Sequence, residues 1–550
     1  LKTFALLFTS VLISIPLVAS PVIAPGGVVN AASFAAQGLP NAAIAKGSIF
    51  TIFGSGLGTA AGEYGFNYPL PTVTAGQVSV NVTVNGTTTK AIILYAGAGQ
   101  VNAVLPSATP AGTGTVTVTY QGQTSAPAPI EVVASNFGTF AVNSAGSGPG
   151  IVTFADYSLV TVNKAANPGE TLIIWGTGLG PVTGDEAAKA LPGDLPSVPL
   201  EVLIGGVKAN LTYRGRSGCC SGLDQVGAVV PQGVEGCSVP VSLKINDKVS
   251  NVTSIAVAAG GRTCTDSATG VNSAQFTSLF NKPNAAFGSI VLSRYGATTP
   301  GFFGLPATTI TTDASSATFE RFTFAPGTSF SPALFNSVSN GACTVSSYSG
   351  KANPYPGLTF TGLDAGASLS VSGSSGARTL TPLASVKGVY AGSLGDNYLD
   401  PGQYTVSGQG GADVGAFSAK LTLPQALIWT NESAVDTIVR GNGLVVTWTG
   451  GDPKGFVSID GGSYFTATGN TTVGANFHCQ AKTADGTFTV PAAVLLSLPA
   501  SAVLAAGGIS IPTGALSVAS ASTYVTFTAS GLDLGIVAGL SGSSKIITYQ

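Results

Sequence analysis

After about residue 25 the chain is a succession of short runs, each apolar or alternating and each closed by glycine, proline, asparagine or serine. Val78, Val80, Val82 and Val84 alternate with Ser79, Asn81 and Thr83, then stop at Asn85-Gly86. That is the two-residue period of a half-buried strand followed by a hairpin turn. Val116 and Val118 alternate with Thr115, Thr117 and Thr119 and end near Gln121-Gly122. Residues 49–53 and 172–175 are short, mainly apolar runs closed by glycine, as expected of strands buried on both faces. Seven or so such strands in about 110 residues predict a β-sandwich of immunoglobulin type. No Cys…Trp…Cys spacing accompanies them, so the module is Ig-like and not antibody-like.

The same module occurs twice. GVVNAASF (27–34) aligns with GIVTFADY (150–157), GSIFTIFGSGLG (47–58) with GETLIIWGTGLG (169–180), and QVNAVLP (100–106) with QVGAVVP (225–231). The offsets are 123, 122 and 125 residues, too long for a solenoid repeat and right for strung modules. Beyond about residue 265 the repeat fades but strand-and-turn patterning continues in LDPGQYTVSG (399–408) and LVVTWTGGDP (444–453). The chain therefore reads as all-β: a leader at 1–24, Ig-like modules at 25–134 and 135–264, then β domains at 265–424 and 425–550.

Composition narrows the class. Only 8% of 550 residues are charged, where a soluble domain carries about 25%, so a membrane protein has to be considered. Past the leader, no run of 18 or more uncharged apolar residues is framed by basic loops. A net charge of −2 without a basic stripe excludes nucleic acid as a partner. Lys2, the apolar stretch 4–19 and small residues at Ala19, Ser20 and Ala24 have the order of an export signal, although Pro21 and Pro25 obstruct some cleavage sites. The localisation expected is secreted or cell-surface.

Six cysteines (Cys219, Cys220, Cys237, Cys264, Cys343 and Cys479) agree with export, and none has zinc-site spacing. Adjacent cysteines rarely bond to one another. The expectation is that one of Cys219 and Cys220 bonds Cys237 and the other bonds Cys264, with Cys343 and Cys479 joining the last two domains.

The paired motifs, with GRSGCCSGLDQVGAVVPQGVEGC (215–237), resemble exported acidobacterial surface-repeat proteins of Solibacter type, whose copies are similar to IPT/TIG immunoglobulin-like modules. The resemblance implies export and an Ig-like fold and brings no activity with it.

Candidate chemistry is sparse. GSGLG (54–58) and GTGLG (176–180) look like dinucleotide loops, but no full helix follows either, so they read as turns. His478 is the sole histidine, so any nucleophilic triad must use it; with Asn476 and Gln480 it occupies the strand face opposite Phe477 and Cys479. Asp185, Glu186, Asp194 and Glu235 read as solvated loop carboxylates, and Asp396, Asn397 and Asp400 as a turn before Pro401. Trp429 and Trp448, near Tyr464 and Phe465, are the stacking candidates for a sugar, but Trp448 shares a face with Leu444 and Val446 and Trp175 lies in an apolar strand, so core packing is the favoured reading. These observations lead to a non-enzymatic extracellular structural or adhesive protein that needs no cofactor and no metal. Its expected partners are further copies of itself, or matrix and cell-surface components, glycans among them. The alternative is a carbohydrate-binding surface protein; a polysaccharide hydrolase with its site in 265–550 ranks last.

Overall fold

A computed structural model describes residues 20–266, 272–274, 282, 284–299, 308–324, 338–350, 358–467, 470–506, 509–522 and 524–550. Most of the expected leader lies outside them. Its last residues do not: the first strand, Val22–Asn30, begins inside that range and pairs Val22 with Ser55 and Ile23 with Gly54. Among the described residues no helix is long and apolar enough to cross a membrane.

Module 1 is a two-sheet sandwich. One sheet runs in the order Val22–Asn30, Ile49–Ser55, Gln100–Val104, Ile92–Ala96, Glu63–Tyr64; the other runs Ile44–Ala45, Ala128–Val133, Gly112–Tyr120, Val78–Val84, Thr87–Lys90. The valine ladder 78–84 alternates buried and half-buried as its sequence requires, and its valines meet Phe50, Ile52 and Val101 across the core. Asn85 and Gly86 both take positive φ, the geometry of the two-residue hairpin turn. Module 2 repeats the connectivity, with Thr171–Thr177 and Asp224–Val229 taking the places of Ile49–Ser55 and Gln100–Val104. The repeated motifs thus occupy equivalent strands.

The remainder departs from two separate domains. One continuous sheet runs Ala342–Ser349, Thr471–Lys482, Phe456–Ala467, Gly514–Ala521, Leu534–Tyr549, Asn284–Thr299, Thr308–Phe324, Val389–Ser393, Gly376–Pro382, Leu369–Gly373, Gly402–Gly408, Phe417–Leu423. The boundary expected at 424/425 is crossed twice: Asn284–Thr299 lies parallel to Leu534–Tyr549, and Ala342–Ser349 pairs with Thr471–Lys482. The reason is strand length. The 16- and 17-residue strands at 284–299, 308–324 and 534–549 are long enough to serve two cores. Phe527 and Val537, late in the chain, complete the core around Phe319, Tyr390 and Tyr404, while Cys343 and Val345 join the core around Trp448, Phe477 and Tyr549.

The units are docked. Phe465 of the C-terminal sheet packs with Leu39 and Ala35 of module 1. Cys237, Cys264 and Ala256 of module 2 cluster with Ala285 and Phe287. Between the modules, Asn136 Nδ2 donates to the carbonyl of Asn41 at 2.8 Å, and Glu186, expected in solvent, is buried and accepts the Ser107 amide at 2.6 Å. Its loop is folded back between two modules, and it is the neighbour, not the loop's own sequence, that excludes water.

Two cysteine pairings correct the expectation. Cys237 bonds Cys264, both buried, and Cys219 bonds its neighbour Cys220 in an exposed loop. The apolar nest that holds Cys237 and Cys264 together leaves neither available to Cys219 or Cys220. Cys343 bonds Cys479 directly across two antiparallel strands.

Candidate functional site

The outer face of the C-terminal sheet gathers the chemistry. Along Thr471–Lys482 the inward residues Val473, Ala475, Phe477, Cys479 and Ala481 are buried, which leaves Asn476 and His478 on the opposite face, as strand alternation requires. Thr344 and Asp460 flank His478 in register, Ser517 follows Asp460, and Ser544 follows Ser517. A row of five polar side chains therefore crosses five strands, about 19 Å at the usual strand spacing. A second row places Ser346 beside Asn476 and Asn476 beside Gly462; a third runs Tyr348, Gly474, Tyr464.

The glycines shape this face. A β-carbon at Gly462 would collide with the Asn476 side chain, and one at Gly474 would lie 2.6 Å from the Tyr348 hydroxyl. Asn476 and Tyr348 thus lie down across their neighbours. Together these residues line an open groove of about 580 Å³.

Its electrostatics are nearly neutral. His478 Nδ1 and Asp460 Oδ1 are 2.7 Å apart. Burial pushes the Tyr295 phenol up, with Asp460 and Glu432 adding to the effect, and its hydroxyl bonds Ser517 Oγ. Burial and the neighbouring Tyr464 also push the Tyr348 phenol up. Both phenols therefore stay protonated as neutral hydrogen-bonding groups. The lining holds one carboxylate and no lysine or arginine. His478 and Asp460 form two members of a triad, but no serine hydroxyl is bonded to the imidazole among the described residues. Nor do those residues hold a group of three or more His, Cys, Asp or Glu placed to take a metal ion.

Trp448 lies in the core, as its face with Leu444 and Val446 predicts, and Trp429 joins it there in place of offering a stacking surface. Trp429 and Trp448 face each other across paired strands and are 5% and 3% exposed. Their indole N–H groups are used internally, by Asn431 Oδ1 at 2.8 Å and by the Thr483 carbonyl at 2.9 Å. They are core residues, because Leu444–Thr449 turns its Val446 and Trp448 face onto the large sheet. Trp175 is half-buried on the outer face of module 2, 6.1 Å from the exposed ring of Tyr157.

The GTGLG turn has a partner that sequence reasoning missed. The amides of Gly178 and Leu179 donate to Asp224 Oδ2 at 2.7 and 2.8 Å, so the turn cradles an internal carboxylate and not a phosphate. Complete burial pushes the Asp224 carboxyl up, against the pull of the Arg216 guanidinium and of those amides. The signal available was Asp224 itself, a charge placed where the first copy has Gly99.

Residues 39–132 match the IPT/TIG domain. No curated protein matches the chain. Among solved structures, the Bacteroides ovatus mixed-linkage glucan utilization locus protein SGBP-B, in complex with a mixed-linkage heptasaccharide, is 10% identical with a TM-score of 0.18; the alignment covers 39% of this chain and 45% of that one. The S-layer protein SbsC, domains 5–6, is 12% identical with a TM-score of 0.14, covering 43% and 98%. Invasin, a bacterial integrin-binding protein, is 12% identical with a TM-score of 0.13, covering 90% and 75%. This chain thus spans under half the length of the first of these. Likeness at this level carries no argument about ligand or partner.

Proposed function

We propose that the chain is a non-enzymatic extracellular adhesive protein in which Ig-like modules hold a recognition face rigidly away from their own junctions. The observation that supports this best is the docking of the three units through buried contacts, Arg216 with Gly47 and Phe465 with Leu39 among them. Such contacts make the assembly one body, whereas a spacer built for reach has exposed, contact-poor linkers. The resemblance of the paired motifs to exported acidobacterial surface repeats fits this placement. The test is retention under flow of beads coated with the full chain on bacterial and polysaccharide surfaces, with negative-stain microscopy of the free protein. Retention by single compact particles is expected. Regular filaments would replace adhesion by self-assembly.

A second reading, carbohydrate binding, is supported by the open groove with its tyrosines, hydroxyls and amide.

A further inference from the structure

The geometry points to the groove over Asp460, Asn476 and His478 as a binding site for an uncharged polysaccharide chain. This rests on the carbohydrate-binding reading and specifies its site and ligand class. The groove lies across the face of five strands, from the edge strand Ala342–Ser349 to Leu534–Tyr549, and its side chains project from that face, whereas an extended peptide would pair with the backbone along the edge. Its lining contains no lysine or arginine, which removes the usual means of holding a phosphate, sulfate or uronate. A single carboxylate engaged with an imidazole does not suffice for a cation.

What remains is a dense set of hydrogen-bond donors and acceptors. The row Thr344, His478, Asp460, Ser517, Ser544 supplies hydroxyls, an imidazole and a carboxylate across five neighbouring strands. Asn476 offers an amide that can donate and accept at once, the pattern that matches adjacent hydroxyls. Tyr464 and Tyr348 lie on either side of Gly474 and add apolar ring surface with a polar tip. The groove is open and not enclosed, which suits a chain passing through more than a small molecule swallowed whole.

The test is affinity electrophoresis of the full chain in gels containing barley mixed-linkage β-glucan, xyloglucan, galactomannan or, as the anionic probe, polygalacturonate. Retardation by at least one neutral polymer is expected. It should weaken about tenfold in Asn476→Ala and in Tyr464→Ala, the size of one lost contact, with the thermal midpoint unchanged. Trp175→Ala should leave it intact. Retardation that survives both groove variants, or that disappears with Trp175→Ala alone, overturns the site and leaves carbohydrate binding standing. Retardation confined to polygalacturonate overturns the ligand class. No retardation in any gel overturns the inference and the carbohydrate reading together, while leaving the adhesive reading to its own test.

Discussion

Arg216 of module 2 donates through Nη2 to the carbonyl of Gly47 in module 1 at 2.6 Å, while Nη1 meets Asp224. The same Nη2 also reaches the Gly180 carbonyl at 2.7 Å. A guanidinium that is 2% exposed therefore closes the GTGLG turn and fastens the neighbouring module at the same time.

Removing one partner of a buried pair leaves the other charge uncompensated, which typically costs about 3–5 kcal/mol. Arg216→Ala is expected to destabilise module 2 by that amount in urea denaturation. It should also raise the radius of gyration in small-angle scattering, because the Gly47 contact is lost. Arg216→Lys should rescue little, since an ammonium lacks the planar fork that spans a carboxylate and two carbonyls.

The C-terminal sheet should be acid-sensitive through Asp313. Burial raises its carboxyl, but the Arg294 guanidinium and the Leu399 and Tyr398 amides outweigh burial and hold it below the usual range. A carboxylate depressed in the folded state stabilises above its unfolded value, about 3.9, and loses that contribution as pH falls through the lower folded value. Melting temperatures measured from pH 6 downward should fall more steeply below about pH 4 in the wild type than in Asp313→Asn.

The disulfides should differ in weight. Cys343–Cys479 closes a separation of 136 residues, so the double Cys→Ser variant is expected to lose about 2–5 kcal/mol. Cys219–Cys220 joins neighbours and constrains almost nothing in the unfolded chain, so Cys219→Ser with Cys220→Ser should melt near the wild-type temperature. Peptide mapping without reduction should recover Cys237 with Cys264, and mild reductant should open the exposed Cys219–Cys220 bond first.

Trp448→Ala removes a buried indole and should cost about 3–5 kcal/mol by chemical denaturation. If the variant instead melted normally and lost only ligand affinity, its placement in the core would be wrong.

Local order was readable from the chain wherever local chemistry sets it. The valines at 78–84 declare their own face, Asn85-Gly86 declares the turn, and the 123-residue offset declares the second copy. What could not be read depends on distant partners. Nothing near Glu186 indicates that module 1 will cover it, and nothing near His478 indicates that Asp460 will be opposite it. The spacing Asp400-x-Gly402-x-Tyr404 is a further local signal in the chain. The Tyr404 hydroxyl donates to the carbonyls of Tyr398 at 2.7 Å and Asp400 at 2.9 Å, the corner that a tyrosine makes in Ig-like sandwiches.

The parallel pairing of Asn284–Thr299 with Leu534–Tyr549 also fixes an order of events. A chain that emerges from its N-terminal end can finish both repeated modules early, since each closes on itself. The strand at 284–299 pairs at once with Thr308–Phe324 but must wait for some 250 residues before its parallel neighbour arrives, and pairings of such separation are slow to form. Until then one edge of that strand stays unpaired, so the C-terminal half is where chaperones, proteases and premature termination would act, while the two modules ahead of it stand already folded.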